Sequence, residues 1–141
     1  MCPEFSYSKG RIPATVEFIT KEMEDFDKYF ADVTWKEYKL LETIKAKALE
    51  KTVENILTAL IEISGTIFVE EGKTVENYFT AINEASSILG FDEEAALSLA
   101  KLAVQRNRIV HRYLDFKWEA IKSYKDNKGL LKEFLKKVLD R

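Results

Sequence analysis

The feature that most constrains this chain is a helical apolar period that continues almost without interruption from Trp35 to Glu71. At ~1.5 Å per residue a single helix of that length would measure about 55 Å, which is long for a domain of 141 residues. We therefore predict a break near Thr43 and a main helix from about Ile44 to Glu70. Its wide apolar stripe has to be covered by other helices or by a second subunit. The stripe consists of Leu49, Val53, Ile56, Leu57, Leu60, Ile63, Ile67 and Phe68.

Helical patterns also dominate the residues before this stretch, and no convincing strand pattern occurs. Residues 1–12 are predicted to be an irregular lead-in. A first helix is predicted from Pro13 to about Phe30, because proline suits the first turn of a helix. Thr34 and Glu37 have the spacing of a capping box, in which each side chain satisfies a backbone N–H at the helix start.

The second half of the chain predicts further helical segments, separated by glycines or by acidic residues that favour helix starts. In chain order they are a helix from about Thr74 to Leu89, a helix capped by Asp92 that carries residues 105–113, a short helix from Asp115 to about Tyr124, and a last helix that ends at Leu139. Residues 126–129 form either a turn or a weakened helical stretch. The prediction is an all-α, up-and-down bundle of four to five main helices, in one domain from residue 13 to residue 141.

The composition argues against several classes of function. With one cysteine, Cys2, and one histidine, the chain has too few ligands for a Cys-based zinc site and cannot form an internal disulfide. It has no Gly-rich phosphate loop, nucleophile elbow or dinucleotide fingerprint. We therefore expect neither a metal nor a cofactor. No signal-peptide pattern and no apolar run of about 18 residues is present, so we expect a cytoplasmic protein without membrane contact.

Charge is unevenly distributed along the chain. Residues 1–100 hold 10 Lys/Arg against 19 Asp/Glu, a balance of −9, and residues 101–141 hold 12 against 5, a balance of +7. The net charge of −2 argues against a general nucleic-acid coat, but a basic last third can attract phosphates locally. The alternatives are a polarised surface, or a basic segment that folds back onto an acidic one.

Residues 105–113 concentrate the groups able to carry out acid–base and phosphate chemistry. They contain the single histidine, His111, together with three arginines and Tyr113. Histidine accepts and returns protons near neutral pH, and arginine is a permanent cation whose planar fork suits a phosphate. RNA cleavage without a metal needs a base for the ribose 2′-hydroxyl, a cation for the charge on phosphorus and an acid for the leaving oxygen. The segment is therefore a candidate for metal-free RNA cleavage.

The spacing within this segment leaves the arrangement open. On one regular helix Arg106 and His111 would lie roughly 140° apart, whereas Arg108 and His111 would share a face. Either the helix ends just before His111, or two chains assemble the site. A single histidine also supplies only one proton-transfer group, and two copies facing each other would supply two. A structural alternative has His111 capping the helix C-terminus while the arginines stay solvated.

The pattern Arg106-Asn107-x-x-x-His111-x-Tyr113 resembles the signature of HEPN domains, in the form typical of the HepT-like family. The resemblance extends beyond these residues and covers about residues 13–140. It includes 47–55 with the long apolar helix, 91–94 before the motif helix, and 130–135 near the end.

The resemblance implies a homodimer of helical bundles with a composite active site in the cleft between the subunits. It also implies a metal-independent endoribonuclease that acts as the toxin of a toxin–antitoxin pair, with Arg106 and His111 as the catalytic pair. Asn107 is then a supporting polar residue, and Arg108 and Arg112 are candidates for phosphate binding. Tyr113 matches the tyrosine that a nucleotidyltransferase antitoxin of the MNT type modifies with AMP.

Two other classes of function stay open from the residues. The chain is alternatively a non-catalytic subunit that binds nucleotide or substrate for a nucleotidyltransferase, with the arginines holding a phosphate. A third interpretation is a purely structural helical dimer.

Overall fold

A computed structural model describes residues 9–141. These residues form a short 3₁₀ turn, Lys9–Arg11, and the helices α1 (Ile12–Tyr29), α2 (Trp35–Leu40), α3 (Thr43–Glu70), α4 (Tyr78–Ile88), α5 (Glu93–Ile109) and α6 (Leu114–Leu139). The described part of the chain contains helices and no strands, which confirms the predicted all-α bundle. Most of the predicted lead-in lies outside the described residues, and its last residue, Ile12, already belongs to α1.

The central element is α3, which packs against α1, α4, α5 and α6. All eight residues of the predicted stripe are buried, and Ser64, Gly65 and Thr66 are buried beside them. By length and apolar composition α3 would also pass for a membrane-spanning helix. However, 67% of its most apolar window is buried inside the protein, as expected of the core helix of a bundle.

The break between α2 and α3 lies where the sequence predicts it. Leu41 and Glu42 are extended, and α3 begins at Thr43. The capping box at the start of α2 is also formed. The Glu37 N–H donates to Thr34 Oγ1 at 3.2 Å, and the Thr34 hydroxyl donates to the Glu37 carboxylate at 3.0 Å.

The start of α4 differs from the prediction, which placed it at about Thr74. The helix begins at Tyr78, because the Asn77 side chain accepts the Thr80 N–H at 2.8 Å and caps the helix there. The residues before it are irregular and insert Val75 into a small apolar cluster with Phe68. Burying Val75 in this cluster therefore favours an irregular segment there, although the sequence pattern of these residues is helical.

The turn considered at residues 126–129 is wrong. Helix α6 runs through it as one element, so the two predicted C-terminal helices are continuous. Tyr124 before the segment and Leu131 after it are both fully buried, and a turn between them would remove one of them from the core. Asn127 adds a side-chain hydrogen bond to the Ser123 carbonyl, one helical turn back.

The basic last third folds onto the acidic part of the chain. Lys128 and Lys132 of α6 both contact Asp27 of α1, at 2.7 and 3.5 Å. Burial alone would raise the pKa of Asp27, but the hydrogen bonds and positive charges of the two lysines outweigh it, so the pKa lies below its usual value. Three lysines of α6, counting Lys117 with Glu50, thus form ion pairs with acidic residues of α1 and α3.

Candidate active site

Residues 106–113 lie across a bend between α5 and α6. Helix α5 ends at Ile109, residues 110–113 form the bend, and α6 begins at Leu114. Of the two arrangements that the spacing left open, the helix does end just before His111. The His111 N–H then donates to the Arg108 carbonyl at 3.1 Å, which keeps the bend close to the helix end.

A cation from α6 holds the end of α5 in place. The Lys117 ammonium donates to the Ile109 carbonyl at 2.9 Å and forms an ion pair with Glu50 of α3 at 3.2 Å. Glu50 also accepts the Tyr38 hydroxyl of α2 at 2.7 Å. Burial of Tyr38, and then its hydrogen bond to Glu50, raises the pKa of that phenol, so it stays a proton donor. Four helices are thus joined directly behind the bend.

Arg106 and Asn107, at the end of α5, lie beside different helices. The half-buried Arg106 donates a long hydrogen bond of 3.5 Å from Nε to Thr58 Oγ1 on α3. Asn107 is exposed and lines a shallow depression with Tyr78 and Phe79 at the start of α4. Consecutive positions on a helix are separated by 100°, so these two neighbours face different sides of the bundle.

Arg108 and Arg112 lie on the outer side of the bend. Arg108 forms an ion pair with Glu119 of α6 at 2.7 Å, and both side chains are substantially exposed. Such an exposed pair contributes little stability and can open when a phosphate competes for the guanidinium. Arg112 is exposed, and its guanidinium lies over the Tyr113 ring, 5.4 Å from the ring centre.

His111 is held by a small aromatic cluster. Its Nδ1 accepts the Tyr113 N–H at 3.3 Å, and its ring centre lies 4.8 Å from that of Tyr113 and 4.7 Å from that of Phe116. A neutral imidazole that accepts at Nδ1 carries its proton on Nε2. Nε2 is therefore the ring nitrogen that the Tyr113 N–H does not engage.

The structure thus groups four of the six predicted site residues around the bend: Arg108, His111, Arg112 and Tyr113. Arg106 is held against α3 and Asn107 faces α4. Sequence reasoning missed Phe116, Lys117 and Glu50. Phe116 could have been identified as an aromatic residue three positions after Tyr113. Nothing in the sequence indicated Lys117 and Glu50, because the residues they contact are distant in the chain.

No group of three or more His, Cys, Asp or Glu side chains within residues 9–141 is placed to hold a metal ion. The chemistry available at the bend is that of an imidazole, guanidinium groups and a phenol. Such a set can transfer protons and stabilise negative charge on a phosphate.

The family model described as "Ribonuclease HepT-like" matches residues 19–138, which is most of the chain and includes all six site residues. The chain belongs to the HepT-like ribonuclease family. The comparison with curated proteins and the comparison with solved structures each give no match. Membership agrees with the all-helical bundle and indicates a ribonuclease of the HEPN type, with RNA as its substrate.

Proposed function

We propose that this HepT-like protein is a metal-independent endoribonuclease that acts as the toxin of a toxin–antitoxin pair. The observation that carries the proposal is the bend at the end of α5. There His111 contacts the rings of Tyr113 and Phe116, and Arg108 and Arg112 flank it in the sequence. The family match supports RNA as the substrate. The predicted setting is the cytoplasm.

The roles follow from the chemistry of the side chains. His111 transfers a proton to or from the reacting oxygens, and Arg106 stabilises the charge that builds on phosphorus. Asn107 supports the pair, while Arg108 and Arg112 bind phosphates of the strand. Displacing Glu119 from Arg108 releases that guanidinium for the RNA.

A homodimer supplies what one chain lacks. Cleavage needs both an acid and a base, and each chain offers one histidine. Within one chain, Arg106 lies against α3 while His111 lies beyond the end of α5. Two bends that face each other across a cleft would bring together two imidazoles and both sets of arginines. We therefore propose a composite site between two copies.

The proposed antitoxin is a nucleotidyltransferase of the MNT type that attaches AMP to Tyr113. The side chain is about half exposed and stands beside His111 and Arg112, so it is accessible and central to the site. A phosphodiester at this position would add negative charge next to the arginines and occupy the path of the RNA.

The test is cleavage of single-stranded RNA by the purified, unmodified homodimer in EDTA. Wild type is expected to cleave, and Arg106→Ala and His111→Ala are each expected to lose at least a hundredfold in rate, the usual contribution of an acid–base group or a charge stabiliser. Lys101→Ala is the control, because Lys101 is an exposed cation on the same helix, α5. Retained cleavage in Arg106→Ala would contradict the assignment. Binding of ATP in calorimetry without any RNA turnover would instead favour the non-catalytic nucleotide-binding subunit.

A further inference from the structure

The outer side of the bend exposes more apolar surface than a solvated loop needs. Val110, Tyr113, Leu114 and Phe116 are all exposed large hydrophobic residues, and they lie within seven positions of one another. Single exposed apolar side chains are common on protein surfaces, whereas several exposed within a short segment, two of them in ring contact, indicate a candidate binding site. This group coincides with the bend that holds His111.

The aromatic rings in this group are fixed by one another. The Tyr113 and Phe116 rings are 5.8 Å apart and nearly perpendicular, and each also contacts the ring of His111. Arg112 lies over Tyr113. Phe116 lies in the first turn of α6, and 38% of its surface is exposed. A ligand that stacks on the Phe116 ring would therefore also lie close to the rings of Tyr113 and His111.

The charge around the rings selects the ligand. Arg112 lies over the Tyr113 ring, and Arg108, whose exposed ion pair with Glu119 can open for a phosphate, lies at the end of α5 beside the bend. Aromatic rings interleaved with arginines are the arrangement by which proteins bind single-stranded nucleic acid, with the rings stacking on bases and the cations contacting phosphates.

We propose that Phe116, assisted by Tyr113, is the stacking surface for an unpaired nucleobase, so that the substrate is single-stranded RNA bound with one base against this ring. The inference rests on the proposed ribonuclease function and deepens it. Bases in a duplex are stacked on their neighbours and have no free face for Phe116. Selection for unpaired RNA is then built into the same bend that carries the catalytic histidine.

The experiment uses a single-stranded 2′-O-methyl oligouridine that carries one 2-aminopurine, a base whose fluorescence falls when it stacks on an aromatic ring. The 2′-O-methyl groups prevent cleavage, so binding is measured alone. Wild type is expected to quench the fluorescence. Phe116→Leu is expected to lose the quenching and to bind about five- to a hundredfold more weakly, the range that one stacked base contributes.

Two further variants make the result specific. Phe116→Trp keeps an aromatic face and is expected to retain the quenching. Phe18→Leu replaces an exposed phenylalanine of α1 that lies next to Glu22, and it is expected to behave as wild type. Circular dichroism establishes that each variant is folded.

The outcomes separate this inference from the proposed function. If wild type cleaves unmodified RNA but Phe116→Leu binds and quenches as wild type does, the stacking surface is wrong and the nuclease assignment stands. If wild type shows Phe116-dependent quenching but never cleaves RNA, the nuclease assignment fails and the stacking surface stands. Dissociation of Phe116→Leu into monomers in sedimentation, with quenching per bound strand unchanged, would show that the surface contacts a second copy instead.

Discussion

Replacing Lys117 with Met tests whether the end of α5 is held from α6. The substitution keeps most of the side-chain volume but removes the ion pair with Glu50 at 3.2 Å and the hydrogen bond to the Ile109 carbonyl at 2.9 Å. Lys117 and Glu50 are each only 17% exposed, so water cannot fully replace the lost charge at Glu50. In the variant the Tyr38 hydroxyl would still donate a hydrogen bond to the Glu50 carboxylate.

The expected loss of stability follows from these contacts. A hydrogen bond to a charged group contributes about 1.5–3 kcal/mol. Removing one partner of a fully buried ion pair costs about 3–5 kcal/mol, and partial exposure lowers that figure. We expect Lys117→Met to reduce the free energy of unfolding by about 3 kcal/mol, which for a chain of this size lowers the melting temperature by about 10 °C.

The assay is urea unfolding followed by circular dichroism, together with the rate of RNA cleavage. Lys122→Met is the matched control on the same helix, because its ion pair with Asp126 is 63% and 60% exposed and contributes less than about 0.5 kcal/mol. In a Glu50→Gln background, Lys117→Met should cost at least about 1 kcal/mol less than in wild type. Equal, small losses for Lys117→Met and Lys122→Met would refute the reasoning. Cleavage should also slow in folded Lys117→Met protein, since the bend that carries His111 loses its support.

Two further predictions concern the contact between α1 and α6. The folded pKa of Asp27 lies below its unfolded value, so its contribution to stability is present above about pH 4 and is lost as pH falls through the folded pKa. Asp27→Asn should therefore destabilise the protein at pH 7, and its difference from wild type in urea titrations should shrink towards pH 2. A constant difference across this pH range would contradict the prediction. Tyr124 has a buried hydroxyl without a hydrogen-bond partner among residues 9–141, and burial, followed by the charge of Asp27, raises its pKa. Tyr124→Phe should leave the free energy of unfolding unchanged or raise it by about 1 kcal/mol in thermal unfolding, because it removes an unpaired polar group and keeps the ring contact with Phe26 at 4.8 Å. A loss of stability of more than about 1 kcal/mol would show that the hydroxyl has a hydrogen-bond partner.

Capping residues, glycines and the apolar period in the sequence predicted where most of the helices begin and end. The capping box at Thr34, the cap at Asp92 and the closing glycines each act within four residues, so the chain itself specifies them. Gly72 and Gly90 both have positive φ, as a helix-ending glycine requires. The apolar stripe of α3 likewise predicted which face is buried, because helical period and burial coincide.

The tertiary structure decided what the local pattern left equivocal. Val75 is buried against Phe68, which delays α4, and the burial of Tyr124 and Leu131 keeps α6 continuous. Neither effect is encoded within a few residues, since each depends on a surface supplied by other helices.

The candidate site shows the same division. The sequence identified the residues with suitable chemistry, because an imidazole and arginines have their reactivity wherever they lie. Only the fold determined that Arg106 faces α3, that His111 follows the end of α5, and that Lys117 supports the bend. The physical reason is that Lys117 meets Glu50 only after α3 and α6 have packed together. The energy of a contact between residues so far apart in the chain depends on the whole bundle and leaves no periodic signal in the sequence.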